Sequence, residues 1–270
     1  CDFCHLIDGY EKLDNGAFTV NPGSTKYGPY HDSVSSFHQT AFSELHKSSD
    51  LCGTCHNVTH PQNGIVLEST YTEWKESPYA EEGITCQDCH MTDGLTAPET
   101  HPGKAASTHG APSREHVSRH YFVGPNLMYS NEPGSEELRR RSEELLKKAG
   151  TVQIGGVSAA DGKTQAEIIV TNTGCGHYLP TGVTEIRELW LDITVTGPGD
   201  EVIYRSGALD ENGDLEEGTI VYRTEVKDSE GNSTTQFWNT VEKVWDRRIP
   251  PRSSVTETIE FSSAGEFEIE

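Results

Sequence analysis

The spacing of hydrophobic residues divides the chain into two parts that follow different patterns. From Thr151 onwards, short runs rich in valine, isoleucine and aromatic residues alternate with turn signals such as Asp161-Gly162, which is typical of β-strands. Seven runs are predicted as strands: Val152–Ile154, Ala166–Thr171, Leu189–Val195, Val202–Tyr204, Ile220–Val226, Val241–Val244 and Val255–Phe261. Seven short strands over about 120 residues predict a β-sandwich of the immunoglobulin-like kind.

The first part of the chain, up to about residue 134, shows little sustained periodicity and is rich in glycine, proline, serine, histidine and tyrosine. This composition predicts short helices and loops. One longer helix is predicted from Ser33 to Ser49, because its apolar residues recur at intervals of three or four. These residues are Phe37, Ala41, Phe42 and Leu45. Such a helix would place His38 and His46 near one face.

Between the two parts, the sequence predicts a connecting helix from Ser135 to Ala149. Ser135 is a candidate N-cap, glutamates occupy the first turn and lysines the last, and Gly150 is a candidate for the left-handed position that follows a helix. We therefore expect an α+β protein with an N-terminal domain over residues 1–134, a connecting helix over 135–150 and a β-sandwich domain over 151–270.

The pentapeptide Cys-x-x-Cys-His occurs three times and contains six of the seven cysteines. The cysteine pairs are Cys1 and Cys4, Cys52 and Cys55, and Cys86 and Cys89, and the histidines that follow them are His5, His56 and His90. This is the attachment signature of c-type haem, in which both thiols become thioethers and the histidine binds iron. The sequence therefore predicts three covalent haem c groups in a haem-packed N-terminal domain.

Two other readings of the cysteine pairs are weaker. Pairs of this spacing also hold tetrahedral zinc, but a zinc ribbon leaves the histidine after each pair unexplained. A thioredoxin-like redox role requires a strand and a helix around the pair, and no such pattern surrounds these motifs.

Composition agrees with a haem protein outside the cytoplasm. The hydrophobic fraction is only 33%, but a porphyrin is a large apolar plate against which side chains can pack. The formal net charge of −22 disfavours binding to nucleic acid and to anionic membranes. No segment has the length and apolarity of a membrane span. Covalent haem attachment predicts a periplasmic or extracellular location, and we expect a leader to precede Cys1.

The second axial ligand of each iron decides between electron transfer and substrate binding. Methionine is scarce, since Met91 adjoins His90 and Met128 is isolated. Nine further histidines are available: His31, His38, His46, His60, His101, His109, His116, His120 and His177. We interpret His60 as a residue that caps a loop before Pro61. The excess of histidines over haems favours a ligand donated to another subunit, or a further haem upstream of Cys1.

Three sequence blocks resemble a large family of bacterial and archaeal multihaem c-type cytochromes. These blocks are Ser43–Met91, His120–Gly124 and Gly176–Gly182. The resemblance implies an electron-transfer protein with low-spin haems close together, and some such cytochromes polymerise into extracellular conductive filaments. It also implies that His46, His120 and His177 are distal ligands, with His38 and His116 next in order. Cys175 departs from the pattern, because similar sequences usually carry a small residue there.

The prediction for function is electron transfer, without catalysis, through three closely spaced haems with two histidine ligands each. Expected partners are other redox proteins, extracellular electron acceptors and further copies of the chain, in an oligomer or filament with one ligand from His31, His38 or His46 donated in trans. The alternative is a multihaem oxidoreductase that acts on a small nitrogen compound at an open haem. No altered motif marks such a site.

Overall fold

A computed structural model of the chain describes residues 2–92, 102–105, 110–124, 135–262 and 265–270. The chain forms two compact units, Cys1–Ala149 and Gly150–Glu270. The protein is a mixed structure of short helices and small sheets, which agrees with the α+β class predicted from the sequence.

The first unit contains short helices and paired short strands. Its helices are α1 (Asp50–Gly53), α2 (Thr70–Lys75), α3 (Pro78–Glu81), α4 (Cys86–His90) and α5 (Glu136–Lys147), with 3-10 helices at Cys4–Leu6 and Glu44–Lys47. Its strands are β1 (Ile7–Tyr10), β2 (Phe18–Val20), β3 (Thr25–Gly28), β4 (Gln39–Phe42), β5 (Val58–Thr59), β6 (Val66–Glu68), β7 (Gly103–Lys104) and β8 (Ser113–Arg114). These strands pair in sequence order, β1 with β2 through to β7 with β8, as two-stranded sheets. The sequence predicted the short helices and loops of this unit but not these strands.

The predicted helix from Ser33 to Ser49 is wrong. The segment instead contains strand β4, which pairs in parallel with β3 from Thr25↔Gln39 to Gly28↔Phe42, and then the 3-10 helix that includes His46. The apolar residues that suggested a helix do not form one buried face, since Phe37 is 90% exposed. His38 and His46 therefore do not share a helical face.

The predicted helix after residue 134 is present as α5 and lies within the first unit. Ser135 precedes it but makes no side-chain capping bond. Gly150 does not have a positive φ, so the prediction that it adopts the left-handed conformation is wrong. A Cβ atom at Gly150 would lie 2.9 Å from the Thr171 carbonyl oxygen. Close approach of the backbone, and not a left-handed turn, therefore favours glycine here.

The second unit consists mainly of antiparallel strands. They are β9 (Thr151–Ala160), β10 (Lys163–Thr171), β11 (Ile193–Thr196), β12 (Val202–Ser206), β13 (Thr224–Lys227), β14 (Glu242–Asp246), β15 (Ser254–Ser262) and β16 (Glu268–Ile269). The sheet orders are β15-β10-β9, β12-β11-β16 and β13-β14. Every predicted strand run overlaps one of these strands, and the turn at Asp161-Gly162 has positive φ at both residues, as expected for a tight hairpin.

Strand β10 shows how the sequence forms the core of the second unit. Its residues alternate between buried and exposed, with Ile168 and Val170 directed inwards and Glu167 exposed, as a strand with one covered face requires. The hydrophobic core combines residues from β10, β15 and β11 with residues from the connecting segments: Ala166, Ile168, Val170, Leu191, Ile193, Val195, Tyr222, Ile249, Ile259 and Phe261.

Candidate haem sites

The three motifs lie on short helical turns of the first unit. Cys4 and His5 belong to the N-terminal 3-10 helix, and Cys52 lies in α1. The third motif forms helix α4, whose N-terminus is closed by a capping box between Thr85 and Asp88. In the second and third motifs, a helical turn places the second cysteine and the histidine about one turn from the first cysteine. This geometry would allow the two cysteines and the histidine of each of these motifs to hold one haem.

His5 and His90 are oriented in the same way. The Nδ1 atom of His5 lies 2.5 Å from the Tyr27 carbonyl oxygen, and the Nδ1 atom of His90 lies 2.6 Å from the Val123 carbonyl oxygen. A carbonyl oxygen can only accept, so each Nδ1 must carry the proton. The lone pair of each neutral ring is then on Nε2. Burial lowers the pKa of His90, which favours this neutral form.

His56 is held by a carboxylate instead of a backbone carbonyl. Its Nδ1 atom lies 3.0 Å from Oε1 of Glu68, which is the last residue of β6. The hydrogen bond to Glu68 raises the pKa of His56, against the opposing effect of its burial. Here too the acceptor fixes the proton on Nδ1 when the ring is neutral.

These three contacts fit haem ligation. A histidine that binds a metal generally donates its other ring N–H to a carbonyl or carboxylate, which fixes the tautomer and the orientation of the ring. Each motif histidine has such an acceptor. The described residues also provide no group of three or more histidine, cysteine, aspartate or glutamate side chains that could hold a bare metal ion.

Two of the predicted distal ligands lie beside His5. The ring centroids of His5 and His120 are 6.2 Å apart, and those of His5 and His46 are 5.4 Å apart. Two imidazoles that bind one iron from opposite sides need centroids about 6 Å apart, since each metal–nitrogen bond is about 2 Å long. The His5 and His120 rings satisfy this requirement. The His5 and His46 rings are closer and nearly parallel, with 18° between their planes.

His46 has one nitrogen with a partner and one without. Its Nε2 atom lies 3.0 Å from the Cys4 carbonyl oxygen, while its Nδ1 atom is buried and has no hydrogen-bond partner. Burial lowers the pKa of His46 and keeps the ring neutral, so Nδ1 carries a lone pair. A buried nitrogen of this kind is unusual in a folded protein, and it fits a role as a ligand or neighbour of a bound group.

Cys52 and Cys86 bring the second and third motifs together. Interaction between their side chains lowers the pKa of the Cys86 thiol and raises that of Cys52. The two cysteines belong to different motifs, so the haem groups predicted at these motifs would attach at neighbouring points.

The other predicted ligands are dispersed. His38 is exposed, with Nδ1 2.9 Å from the Gln39 carbonyl oxygen, and the backbone carbonyl of His116 accepts a hydrogen bond from Tyr30. His177 lies in the second unit, where its Nδ1 atom is 2.9 Å from the Tyr178 carbonyl oxygen.

Buried His60 accepts a hydrogen bond at Nδ1 from the Gln62 backbone N–H, in agreement with its interpretation as a loop residue. Cys1, His101, His109 and Met128 lie outside the described residues.

The surface of the first unit offers aromatic side chains to an apolar ligand. The exposed fractions are 55% for Phe3, 90% for Phe37 and 50% for Phe122, and the ring of Phe122 contacts that of His120. Exposed aromatic side chains beside ligand candidates are what a porphyrin plate would cover.

Sequence reasoning missed the residues that orient the motif histidines. Tyr27, Glu68 and Val123 lie 22, 12 and 33 residues from the histidines they contact. No local pattern identifies them, because two of the three act through backbone carbonyls that any residue could supply. Only Glu68 carried a signal, as an acidic side chain within reach of a motif histidine.

Comparison with known proteins gives a similarity of fold. No family model and no curated protein matches the sequence. The crystal structure of a penta-haem cytochrome c552 from Thermochromatium tepidum superimposes with a TM-score of 0.61 and 17% identity, over 98% of this chain and 67% of that chain. At this identity the similarity shows the fold alone. The chain therefore has a fold like that of a multihaem c-type cytochrome.

None of the helices in the described part of the chain has both the length and the apolar character needed to cross a membrane.

Proposed function

We propose that the protein transfers electrons through three haem c groups bound covalently at its Cys-x-x-Cys-His motifs. Haem iron supplies the one-electron chemistry, and its ligands set the potential. The observation that carries the proposal is the common orientation of the motif histidines, each with Nδ1 directed at an oxygen acceptor. The chain's part is to hold the ligands in a fixed tautomer and to keep the haem groups close together.

His120 is the proposed sixth ligand of the haem attached at Cys1 and Cys4. The support is the 6.2 Å separation between the His5 and His120 ring centroids. One nitrogen of His120 also hydrogen-bonds to the backbone of Ser118, and burial is the main cause of its lowered pKa. The lowered pKa favours the neutral ring that binding to iron requires.

The remaining axial positions are proposed for other histidines of the chain. His46 is favoured by its buried Nδ1 atom without a partner, and His177 by the sequence block that contains it. His38 and His116 remain further candidates. With two histidines at every iron, the protein acts as an electron carrier and not as an enzyme, because no coordination site is left open for a substrate.

We also propose that the protein works outside the cytoplasm as a homo-oligomer or filament, which exchanges electrons with other redox proteins or extracellular acceptors. Of the histidines considered for donation in trans, exposed His38 is better suited than His46, whose ring stacks on His5 of its own chain. His31 stacks on Phe42 at 3.5 Å between centroids and is also less suited.

For the second unit, the shared core of its two larger sheets supports a β-sandwich arrangement.

The decisive experiment is a haem count on the mature protein, combined with its spin state. Intact mass and the pyridine haemochrome assay should give three covalent haems for the three motifs, and electron paramagnetic resonance (EPR) of the oxidised protein should show low-spin iron. Zinc or disulfides at the motifs would overturn the proposal. A high-spin haem that binds carbon monoxide after reduction would instead favour the oxidoreductase alternative.

A further inference from the structure

The three motif histidines differ in the charge of the group that accepts their Nδ1 proton. His5 and His90 contact the backbone carbonyls of Tyr27 and Val123. His56 contacts the carboxylate of Glu68 at 3.0 Å. A charge-assisted hydrogen bond is about twice as strong as a neutral one. The histidine of the second motif, His56, therefore has a negatively charged acceptor, whereas His5 and His90 have neutral acceptors.

The carboxylate of Glu68 is fixed and poorly exposed. Its side chain is only 14% exposed, and Oε1 also accepts a hydrogen bond from the Thr70 hydroxyl at 3.2 Å. Glu68 is the last residue of β6 and pairs with Val58 of β5, which lies two residues after His56. The strand pair thus places the carboxylate at the histidine. The Glu68 side chain has limited contact with water while the His56 side chain is 61% exposed, so the charge of the carboxylate is partly screened.

We propose that Glu68 is a positioning residue that lowers the reduction potential of the haem attached at Cys52 and Cys55, and makes it the haem of the three that is hardest to reduce. Each haem takes up one electron, from Fe(III) to Fe(II), while His56 keeps its Nδ1 proton in both states. A hydrogen bond to a charged carboxylate would increase electron donation from the imidazole to iron. This stabilises Fe(III), because reduction removes one positive charge beside a negative group. The inference rests on the proposed electron-transfer function.

The test is an EPR-monitored redox titration of the whole protein carrying Glu68→Gln. The amide still accepts the His56 proton but lacks the charge. We expect the reduction equilibrium of one haem to shift about tenfold towards Fe(II), a rise of about 59 mV for a one-electron couple. The other two haems should shift much less. Glu68→Asp, which keeps the charge, should restore a potential close to that of the unmodified protein.

A matched control separates this hydrogen bond from a general effect of charge. Glu44→Gln removes the same charge from an exposed glutamate that is paired with Lys47, and salt screens such exposed charges strongly. It should leave all three potentials nearly unchanged. Equal shifts in the two glutamine variants, or no shift in Glu68→Gln, would overturn the proposal.

A second measurement does not depend on a variant that folds. In the fully reduced, diamagnetic protein, nitrogen-15 NMR of labelled histidine should show one axial ligand whose Nδ1 proton lies further downfield than the others, as expected for a carboxylate acceptor. Equivalent signals from His5, His56 and His90 would contradict the role of Glu68. A protein without covalent haem would contradict the proposed function itself, which the haem count detects separately.

Discussion

The two units of the chain achieve compactness by different means. Among the described residues, the first unit buries only four hydrophobic side chains, Ile7, Tyr71, Ala111 and Val123. The second unit is slightly shorter, yet ten of its buried residues form one hydrophobic cluster. The first unit instead contains three haem-attachment motifs and several exposed aromatic side chains. The difference agrees with the proposal that bound haem would complete the core of the first unit, whereas the second unit forms a core from its own side chains.

The strongest test of this comparison is to produce the chain without haem attachment. The second unit should stay folded, because its core needs no cofactor, while the first unit should lose stable structure. Amide hydrogen exchange followed by mass spectrometry should show protection confined to residues after Gly150, with the haem-loaded protein protected in both units. Equal protection of the two units in the haem-free chain would refute the comparison.

Replacement of His120 by alanine tests the coordination of the first haem. With its proposed distal ligand removed, one haem of the three should become high-spin and should bind carbon monoxide after reduction. Absorption and EPR spectra measure the change. His120→Met should return that haem to a six-coordinate state with methionine as its ligand. An alanine variant that stays entirely low-spin would show that His120 is not a ligand.

Replacement of Ile193 by alanine should destabilise the second unit by about 2–5 kcal/mol, because the side chain is buried in the core and its loss leaves a cavity. The haem spectrum should not change. Unfolding in denaturant can be followed by tryptophan fluorescence, since three of the four tryptophans, Trp190, Trp238 and Trp245, lie in this unit. Ile186→Ala, at a residue that is 51% exposed, is the control and should cost less than about 0.5 kcal/mol.

Asn172 tests how the second unit holds the loop that contains His177. This fully buried side chain donates to the carbonyls of His177 and Ile249 and accepts from the Cys175 backbone N–H, at 2.9, 3.0 and 3.0 Å. Asn172→Ala leaves these groups unsatisfied and should cost about 3 kcal/mol in the same unfolding assay. A cost below that of the exposed control Asn239→Ala would show that the loop is not fixed by this side chain.

The acid stability of the second unit should depend on Asp246. Burial opposes ionisation of this carboxyl, but hydrogen bonds from Arg248 at 2.9 and 2.8 Å lower its pKa overall. The unfolded chain therefore binds the proton more readily, and this contribution to stability, fully present above the ordinary pKa of about 4, is lost as pH falls through the folded value. Asp246→Asn should flatten this dependence in denaturant midpoints measured between about pH 2 and 5.

Arg248→Gln provides the opposite check on the same carboxyl. Without the guanidinium, burial should dominate and raise the pKa of Asp246, so stability should instead fall as pH rises through the carboxyl's titration range. An unchanged pH profile in both variants would show that the pair contributes nothing measurable.

The two units also differ in how much of their structure the sequence predicts. In β10, burial on one face leaves an alternation that is visible in the sequence, and all seven predicted strand runs overlap real strands. In the first unit, the periodicity around Phe37 predicted a helix where a strand and a 3-10 helix occur. The apolar residues there have helical spacing, but pairing of β4 with β3 determines the local structure, and exposed Phe37 shares no buried face with the others.

The candidate haem sites follow the same division. The motif cysteines and histidines were identified from local spacing, because attachment chemistry fixes that spacing. The acceptors that orient the histidines were not, since Tyr27, Glu68 and Val123 reach them through the folding of distant segments. Selection of His120 as the partner of His5 required the distance between the two rings.

The interaction between the Cys52 and Cys86 side chains has a consequence for maturation of the protein. Two neighbouring thiols, one with a lowered pKa, are suited to oxidation to a disulfide. In an oxidising compartment such a cross-link would join the second and third motifs and block thioether formation at both. The order of steps during maturation would then matter. A reductant would have to keep both cysteines as free thiols until haem is attached, because a disulfide formed earlier would prevent the thioether bonds.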